Sequence, residues 1–290
     1  MSLFKQEFYQ KVILAGRSEL TFKNYLRAIA QVSLHYRCLP LELTDVQIND
    51  YLTLHKTGQL DREQPSEGYF KHTVFGLRYM FKTYDILGRQ VGMPVMKRTK
   101  RLRDIMNRHE VMQLLRSARL SKHKIAFALA YGSGLRVNEL VNIKRLDIDI
   151  IRKTVHVRNG KGGYDRYVPI SEDFIRGFTK YVDEHSIYGY VFPGQTYGKP
   201  ISISAMQHAL KTTRIRAGIM KSISMHNMRH TYAVHFLEDT GDLLRLKQNL
   251  GHRDIKNTME YLKYVEDMPR SQSYSPLTKV FDLARANKES

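Results

Sequence analysis

The feature that most constrains the fold of this chain is that β-prone sequence is confined to one short stretch. Residues 154–157 and 167–170 are rich in β-branched and aromatic side chains, and Asn159-Gly160 lies between them. Asn-Gly between two such runs indicates a hairpin. On both sides of this stretch, apolar residues recur at helical spacing. The sequence therefore predicts a mainly α fold with a small antiparallel β-sheet.

The charge balance indicates a polyanionic partner. Forty-seven Lys and Arg residues face 28 Asp and Glu residues, which gives a formal net charge of +19. On a folded chain this balance favours nucleic acid as the partner, with an anionic membrane surface as the weaker candidate. A basic protein without a polyanionic partner is the remaining alternative.

Cysteine usage and the N-terminal sequence indicate a cytoplasmic protein. Cys38 is the single cysteine, which excludes internal disulfides and cysteine-based zinc sites and suits a reducing compartment. The first residues carry charges where a signal peptide has an apolar run. No stretch approaches the roughly 20 apolar residues of a membrane-spanning helix.

The N-terminal part has the apolar stripes of amphipathic helices. The clearest stripe alternates steps of four and three and consists of Phe70, Val74, Leu77, Phe81 and Tyr84. Thr44 and Gln47 form a capping box ahead of another helix. Lys71, Arg78 and Lys82 occupy a different face from the stripe. That face either follows DNA phosphates or is a solvated surface, and the two interpretations have equal weight.

A break separates this part from the rest of the chain. Gly88, Gly92 and Pro94 weaken regular structure. The densely basic run that follows contains Lys97, Arg98, Lys100, Arg101 and Arg103. We expect residues 96–103 to form an interdomain linker, which would suit a protein that closes around DNA. An exposed solvated segment is the equal alternative.

Two motifs in the second part place basic side chains at the starts of helices. Arg136 follows a Gly-Ser-Gly turn, where its planar guanidinium could face a phosphate, although a salt bridge with Glu139 is the simpler interpretation. His226 and Arg229 are three residues apart and therefore share one face of a helix. His226 and His230 have a spacing compatible with a metal, but no third ligand lies nearby, so we expect no metal site.

The last motif is Leu250-Gly251-His252, which is followed by Tyr261 nine residues after the histidine. With the preceding motifs it resembles the tyrosine recombinase (phage integrase) family. That family has a Gly-Leu-Arg box, a Gly-Lys-Gly hairpin, His-x-x-Arg, Leu-Gly-His and a tyrosine nine residues later. The matching positions are Arg136, Lys161, His226, Arg229, His252 and Tyr261. Six ordered positions form a strong signal, whereas any one of them is weak.

The resemblance is tight over residues 104–264 and looser over residues 1–95. Ser133 stands where a threonine is common, and Lys263 stands where many members have a histidine. Neither departure removes a catalytic group. Tyr264 is a rival nucleophile, but its spacing from the preceding histidine does not fit the family.

The resemblance implies cleavage of DNA through a 3′-phosphotyrosine, with Tyr261 as nucleophile and His226 as acceptor of its proton. Lys161 would protonate the leaving 5′-oxygen as general acid. The covalent intermediate retains the energy of the broken bond, so neither ATP nor another cofactor is expected.

The remaining implied roles concern the charge of the phosphodiester. Arg136 and Arg229 would neutralise the charge that builds up on its nonbridging oxygens, without a metal ion. His252 would donate a hydrogen bond to the scissile phosphate.

The resemblance also implies a simple two-domain member, similar to Xer recombinases or integron integrases, shaped as a C-shaped DNA clamp. Residues 1–95 would form a helical core-binding domain, residues 104–275 the catalytic domain, and residues 276–290 a C-terminal exchange helix. That helix would dock on a neighbouring protomer or on its own domain. Four copies, each a monomer when free, would assemble into a tetramer that pairs two DNA duplexes, exchanges strands and resolves a Holliday junction. No membrane partner is expected.

Other readings remain open. A type IB topoisomerase shares the chemistry without strand exchange, and a DNA-binding regulator could use the same scaffold without cleavage. Among recombinases, the motifs are compatible with chromosome dimer resolution, integration of a mobile element, cassette recombination and inversion.

Overall fold

The chain divides into two compact units, Met1–Lys100 and Arg101–Ser290. The structure is a computed structural model, and it describes residues 2–60, 67–86, 88–89, 91–92, 104–158 and 165–265. The expected linker, the Asn-Gly turn of the hairpin and the expected C-terminal helix lie outside the described residues.

The described part of the first unit is helical. Its helices are α1 (Ser2–Leu14), α2 (Glu19–Tyr36), α3 (Asp45–Thr57) and α4 (Glu67–Thr83). The predicted capping box at the start of α3 is confirmed, since Thr44 and Gln47 bind each other's backbone N–H groups. Gly58 follows the last residue of α3, and its φ of 74° closes the helix in the left-handed conformation.

The predicted apolar stripe of α4 forms part of the core of the first unit. Phe70, Val74, Leu77 and Phe81 are buried, and the half-buried Tyr84 packs against the same core. On the rest of α4, Arg78 and Lys82 are exposed and Lys71 is half-buried. The separation of the stripe from the exposed cations is therefore confirmed for this helix.

The second unit combines helices with one small sheet. Its helices are α5 (Arg108–Ser117), α6 (Ser121–Ser133), α7 (Val137–Val141), α8 (Glu172–His185), α9 (Ile203–Arg216), α10 (Met225–Thr240), α11 (Leu243–Leu250), α12 (Lys256–Met259) and α13 (Leu262–Val265). Its strands are β1 (Ile148–Asp149), β2 (Thr154–Val157) and β3 (Arg166–Pro169). In the described part of the chain, no helix is long and apolar enough to span a membrane.

The sheet is antiparallel in the order β1-β2-β3, with Val155 opposite Val168. Both valines and Val157 are fully or almost fully buried, whereas Tyr167 is exposed. The sheet thus packs one face on the core, as the alternation of its side chains requires. The prediction of a mainly α fold with a small antiparallel sheet is confirmed.

α6 and α10 form the centre of the second unit. Phe127, Leu129 and Ala130 of α6 are completely buried, and α6 packs against both α8 and α10. α10 begins at a capping box of Ser224 and Asn227. Because α10 is buried over most of its length, the polar side chains it carries are held by packing on several sides.

The turn after α6 requires a glycine, and Gly134→Ala is expected to destabilise the protein by about 2–4 kcal/mol. Gly134 has a φ of 61°, and an added Cβ would lie 2.3 Å from Cδ1 of Tyr232. Gly132→Ala is the matched control, because nothing lies within 4 Å of its added Cβ. In the helix, this control should be neutral or stabilising by up to about 1 kcal/mol. Chemical denaturation of both variants tests the prediction, and equal stabilities would contradict it.

Candidate active site

Two turns of the second unit converge on the guanidinium of Arg229, which α10 carries. This side chain is only 2% exposed. It donates hydrogen bonds to the carbonyl oxygens of Gly134 at 2.8 Å and Leu250 at 2.7 Å. Its Nη2 also lies 3.0 Å from Nε2 of His252. The Gly-Leu-Arg, His-x-x-Arg and Leu-Gly-His motifs are therefore brought together around one side chain.

Arg136 stands at the start of α7, directly after the Gly134 turn. Its backbone N–H and its Nη1 donate to the two carboxylate oxygens of Glu139, at 2.9 and 2.8 Å. The salt bridge considered from the sequence is therefore formed. The side chain of Arg136 nevertheless remains 26% exposed, so its guanidinium is accessible to a ligand in solution.

Glu139 is a buried carboxylate shared by several cations. Arg166 of β3 donates to both of its oxygens, at 3.0 and 2.7 Å, and Arg229 Nη1 lies 4.0 Å from Oε2. Burial alone would raise the pKa of Glu139, but the hydrogen bonds and charges of Arg166 and Arg136 outweigh it and lower the pKa to about 2. Glu139 is therefore ionised at neutral pH.

The same cluster acts on Arg229. Burial, together with the nearby charge of Arg136, lowers the pKa of Arg229 to about 10. It remains charged at neutral pH. Three guanidiniums around one carboxylate leave a surplus of positive charge, which favours an anion at this position.

Tyr261 lies next to this cluster and is only 5% exposed. Its hydroxyl forms a 2.8 Å hydrogen bond with Nδ1 of His230. The ring of His252 lies parallel to the Tyr261 ring, with centroids 6.5 Å apart. Nδ1 of His252 is in turn 2.9 Å from Thr258 Oγ1, so Thr258 orients the imidazole while its Nε2 faces Arg229.

The two histidines of α10 differ in position. His226 is exposed, whereas His230 is buried at 3% exposure. Their rings contact edge to face, with centroids 4.1 Å apart. His226, the expected proton acceptor, thus lies one turn from the histidine that holds the tyrosine hydroxyl.

Several sequence-derived site residues lie outside the described residues: Lys161, Lys97, Arg98, Lys100, Arg101 and Arg103. Among the residues that the structure describes, no group of three His, Cys, Asp or Glu side chains is arranged to hold a metal ion.

Sequence reasoning assigned no functional role to Arg166, Glu139 or His230. Each of these three residues has a recognisable position next to a motif. Arg166 begins the strand after the predicted hairpin, Glu139 follows Arg136 by three residues, and His230 follows Arg229 directly. None of these positions indicated which partner the side chain would contact.

The first unit has a separate basic cleft of about 680 Å³ between α1, α2 and α4. Its lining includes the cations Lys11, Arg17, Arg78 and Lys82 and the aromatic residues Tyr25, Phe75 and Tyr79. Arg78 is held by a 2.8 Å hydrogen bond from Nε to the carbonyl oxygen of Val91. This combination of cations and aromatic rings fits a nucleic-acid surface.

The low pKa of Glu139 predicts a specific pH dependence of stability. With a folded pKa of about 2 against an ordinary value of 4.5, ionised Glu139 stabilises the fold above pH 4.5, and this contribution is lost as the pH falls towards 2. The loss amounts to roughly 3 kcal/mol. Glu139→Gln should be less stable at pH 7 and should lose less further stability between pH 5 and 2.

Urea denaturation at a series of pH values measures this effect. Glu172→Gln is the control, because the Glu172 carboxylate pairs with Lys153 at the exposed surface, where solvent screens the interaction. Parallel pH profiles for wild type and Glu139→Gln would contradict the prediction.

Comparison with known proteins identifies the family. Residues 102–267 match the model of the phage integrase family. Tyrosine recombinase XerA of Thermococcus onnurineus (strain NA1) is 33% identical over 227 residues, which cover 76% of this chain and 79% of the relative. The putative integrase/recombinase y4qK of Sinorhizobium fredii (strain NBRC 101917 / NGR234) is 27% identical over 91% of this chain and 85% of the relative.

A solved structure agrees with this at the level of the fold. The structure of XerH site-specific recombinase bound to palindromic difH substrate, in a post-cleavage complex, aligns with a TM-score of 0.69 at 16% identity. The alignment covers 86% of this chain and 78% of that one. With its motifs gathered around Arg229 and its sequence matched over more than half its length, the chain belongs to the phage integrase family, the tyrosine recombinases.

Proposed function

We propose that this protein is a site-specific DNA recombinase that cleaves and rejoins DNA strands through a 3′-phosphotyrosine intermediate. The observation that carries the proposal is the position of Tyr261 beside a buried arginine cluster that joins three separate motifs. The names of the relatives, which are recombinases and integrases, support it.

The cluster is suited to a phosphodiester in the transition state of attack. Arg229 is held by two carbonyl oxygens and Arg136 by Glu139, so neither guanidinium needs to reorganise when charge builds up on the phosphoryl oxygens. Removing one such preorganised donor costs about 10²–10³ in rate. The family motif assigns a further hydrogen bond to the phosphate to His252, whose Nδ1 lies 2.9 Å from Thr258 Oγ1 and whose Nε2 lies 3.0 Å from Arg229 Nη2.

The reaction needs a proton acceptor for the nucleophile and a proton donor for the leaving group. The Tyr261 oxygen attacks phosphorus, the bond to the 5′-oxygen breaks, and that oxygen takes a proton. We assign the donor role to Lys161, on the basis of the family motif in the hairpin between β2 and β3. The family motif also assigns the proton of Tyr261 to His226.

DNA binding outside the active site is assigned to the basic surfaces. We propose that Lys71, Arg78 and Lys82 of α4, together with the linker cations, contact phosphates and position the duplex. The basic cleft of the first unit supports this for Arg78 and Lys82. The XerH structure, which is described as bound to its difH substrate, shows such a partner for a protein of this fold.

The larger assembly is proposed from family membership. Four copies would pair two duplexes and pass through a Holliday junction, with residues 276–290 exchanged between neighbours. The proposed domains are residues 1–95 for core binding and 104–275 for catalysis, joined by the linker 96–103. Cys38, the single cysteine, suits the cytoplasm that we propose as its location.

Tyr261→Phe is expected to abolish covalent attachment to DNA, because it removes the attacking oxygen. The probe is a pool of duplexes with a random central segment and a nick in one strand, so that cleavage releases a short fragment and the adduct accumulates. Wild type should form the covalent adduct only with duplexes of one sequence class. A duplex of that class is named the trapped duplex. Tyr264→Phe is the matched control and should still form the adduct. An adduct with Tyr261→Phe, or none with wild type, would refute the proposed function.

Lys161→Ala is expected to slow adduct formation on the trapped duplex by about 10²–10⁴-fold, because the leaving 5′-oxygen loses its proton donor. Replacing that oxygen by sulfur provides a leaving group that needs no protonation, so the variant should recover to within about tenfold of wild type. Arg136→Ala serves as control and should remain slow on both substrates, because its defect concerns phosphoryl charge. If sulfur does not restore Lys161→Ala, the lysine is not the general acid.

A further inference from the structure

The hydroxyl of Tyr261 and the imidazole of His230 form a buried pair that the proposed mechanism does not yet use. The two atoms are 2.8 Å apart, and both side chains are at most 5% exposed. In the tautomer whose single proton lies on Nε2, the imidazole accepts the phenol O–H at Nδ1.

The position of His230 is fixed by its surroundings. It lies in the buried middle part of α10, between Arg229 and Thr231, which are themselves buried. The ring of His226 contacts it from the exposed side, with centroids 4.1 Å apart. A proton acceptor has to lie within about 2.6–3.2 Å of the oxygen that gives up the proton, and Nδ1 of His230 meets this condition.

We infer that His230 is the catalytic residue that accepts the proton of Tyr261, an inference that rests on the proposed recombinase function. As the Tyr261 oxygen attacks phosphorus, its O–H bond breaks and the proton passes to Nδ1 of His230, which becomes an imidazolium. The positive charge forms as negative charge builds up on the phosphoryl oxygens, so the two changes offset each other. In the rejoining step, the imidazolium returns the proton to the departing tyrosine oxygen.

This assignment differs from the one that the family motif suggests for His226. His226 is exposed and lies one helical turn away. Its ring contacts the ring of His230 edge to face. Its loss should therefore affect the rate less than the loss of His230.

The test uses the full chain, the trapped duplex, and four variants: His230→Asn, His230→Ala, His226→Asn and His208→Asn. Asparagine at position 230 can still accept a hydrogen bond from the tyrosine but cannot take its proton. His208 is an exposed residue of α9 and controls for the substitution itself. Thermal denaturation verifies that each variant is folded, and the measured quantity is the rate of adduct formation in a single turnover.

We expect His230→Asn and His230→Ala to slow adduct formation by about 10²-fold or more. Added imidazole should partly restore His230→Ala, since the vacated space can hold a free base. His226→Asn should lose less than His230→Asn, and His208→Asn should match wild type.

Three results would overturn the inference. The first is a wild-type rate of adduct formation for His230→Asn, and the second is a greater loss of rate for His226→Asn than for His230→Asn. The third is faster cleavage without His230, which would show that the hydrogen bond inhibits the reaction. If His230→Ala does not fold, the rate of His230→Asn decides. If His230→Asn does not fold, restoration of His230→Ala by imidazole decides, and a failure to restore the rate counts against the inference. Failure of the proposed function is distinct, since wild type itself would then form no adduct.

Discussion

The hydrogen bonds of the Arg229 guanidinium hold the site together. A charged group that is 2% exposed is costly to bury unless it is paired and hydrogen-bonded. Arg229 meets this requirement with the carbonyl oxygens of Gly134 and Leu250, which are the ends of two different helices. The carbonyl groups at helix C-termini carry partial negative charge, so they are suitable partners for a cation. One side chain thus fixes the distance between two turns that are far apart in sequence.

At neutral pH, the ionised carboxylate of Glu139 offsets part of the positive charge of the three guanidiniums. Without a carboxylate, the guanidiniums of the buried Arg229 and its two neighbours would repel one another. The pKa of about 2 shows how strongly Arg166 and Arg136 favour the ionised form of Glu139 despite its burial. Arg166 also donates through Nε to the carbonyl oxygen of Asn249 at 2.8 Å. The small sheet is thereby joined to the cluster, and the strand that follows the Lys161 hairpin is anchored at the same point.

The parts of this structure that could be predicted from the sequence are those set by local spacing. The stripe of α4 follows from helical periodicity, and the capping box of Thr44 from the residue types at its two positions. The grouping of Arg136, Arg229 and His252 is implied by the family resemblance, not by spacing. The contact between Arg166 and Glu139 spans 27 positions, and that between His230 and Tyr261 spans 31. Such contacts depend on how β3, α12 and α13 pack against α7 and α10, and no local pattern encodes that packing.

His226 and His230 show that a sequence motif alone does not determine which side chain contacts the tyrosine. Residues four apart lie on the same side of a helix, so both histidines point towards the site from α10. Which of them contacts the tyrosine depends on how the segment that carries Tyr261 packs against α10. Here Tyr261 is buried with Leu246 and Leu250 in one apolar cluster, and this places its hydroxyl at the deeper histidine. The apolar packing of Tyr261 therefore selects the hydrogen-bond partner of its hydroxyl, and the chemistry available to that hydroxyl follows from a hydrophobic contact.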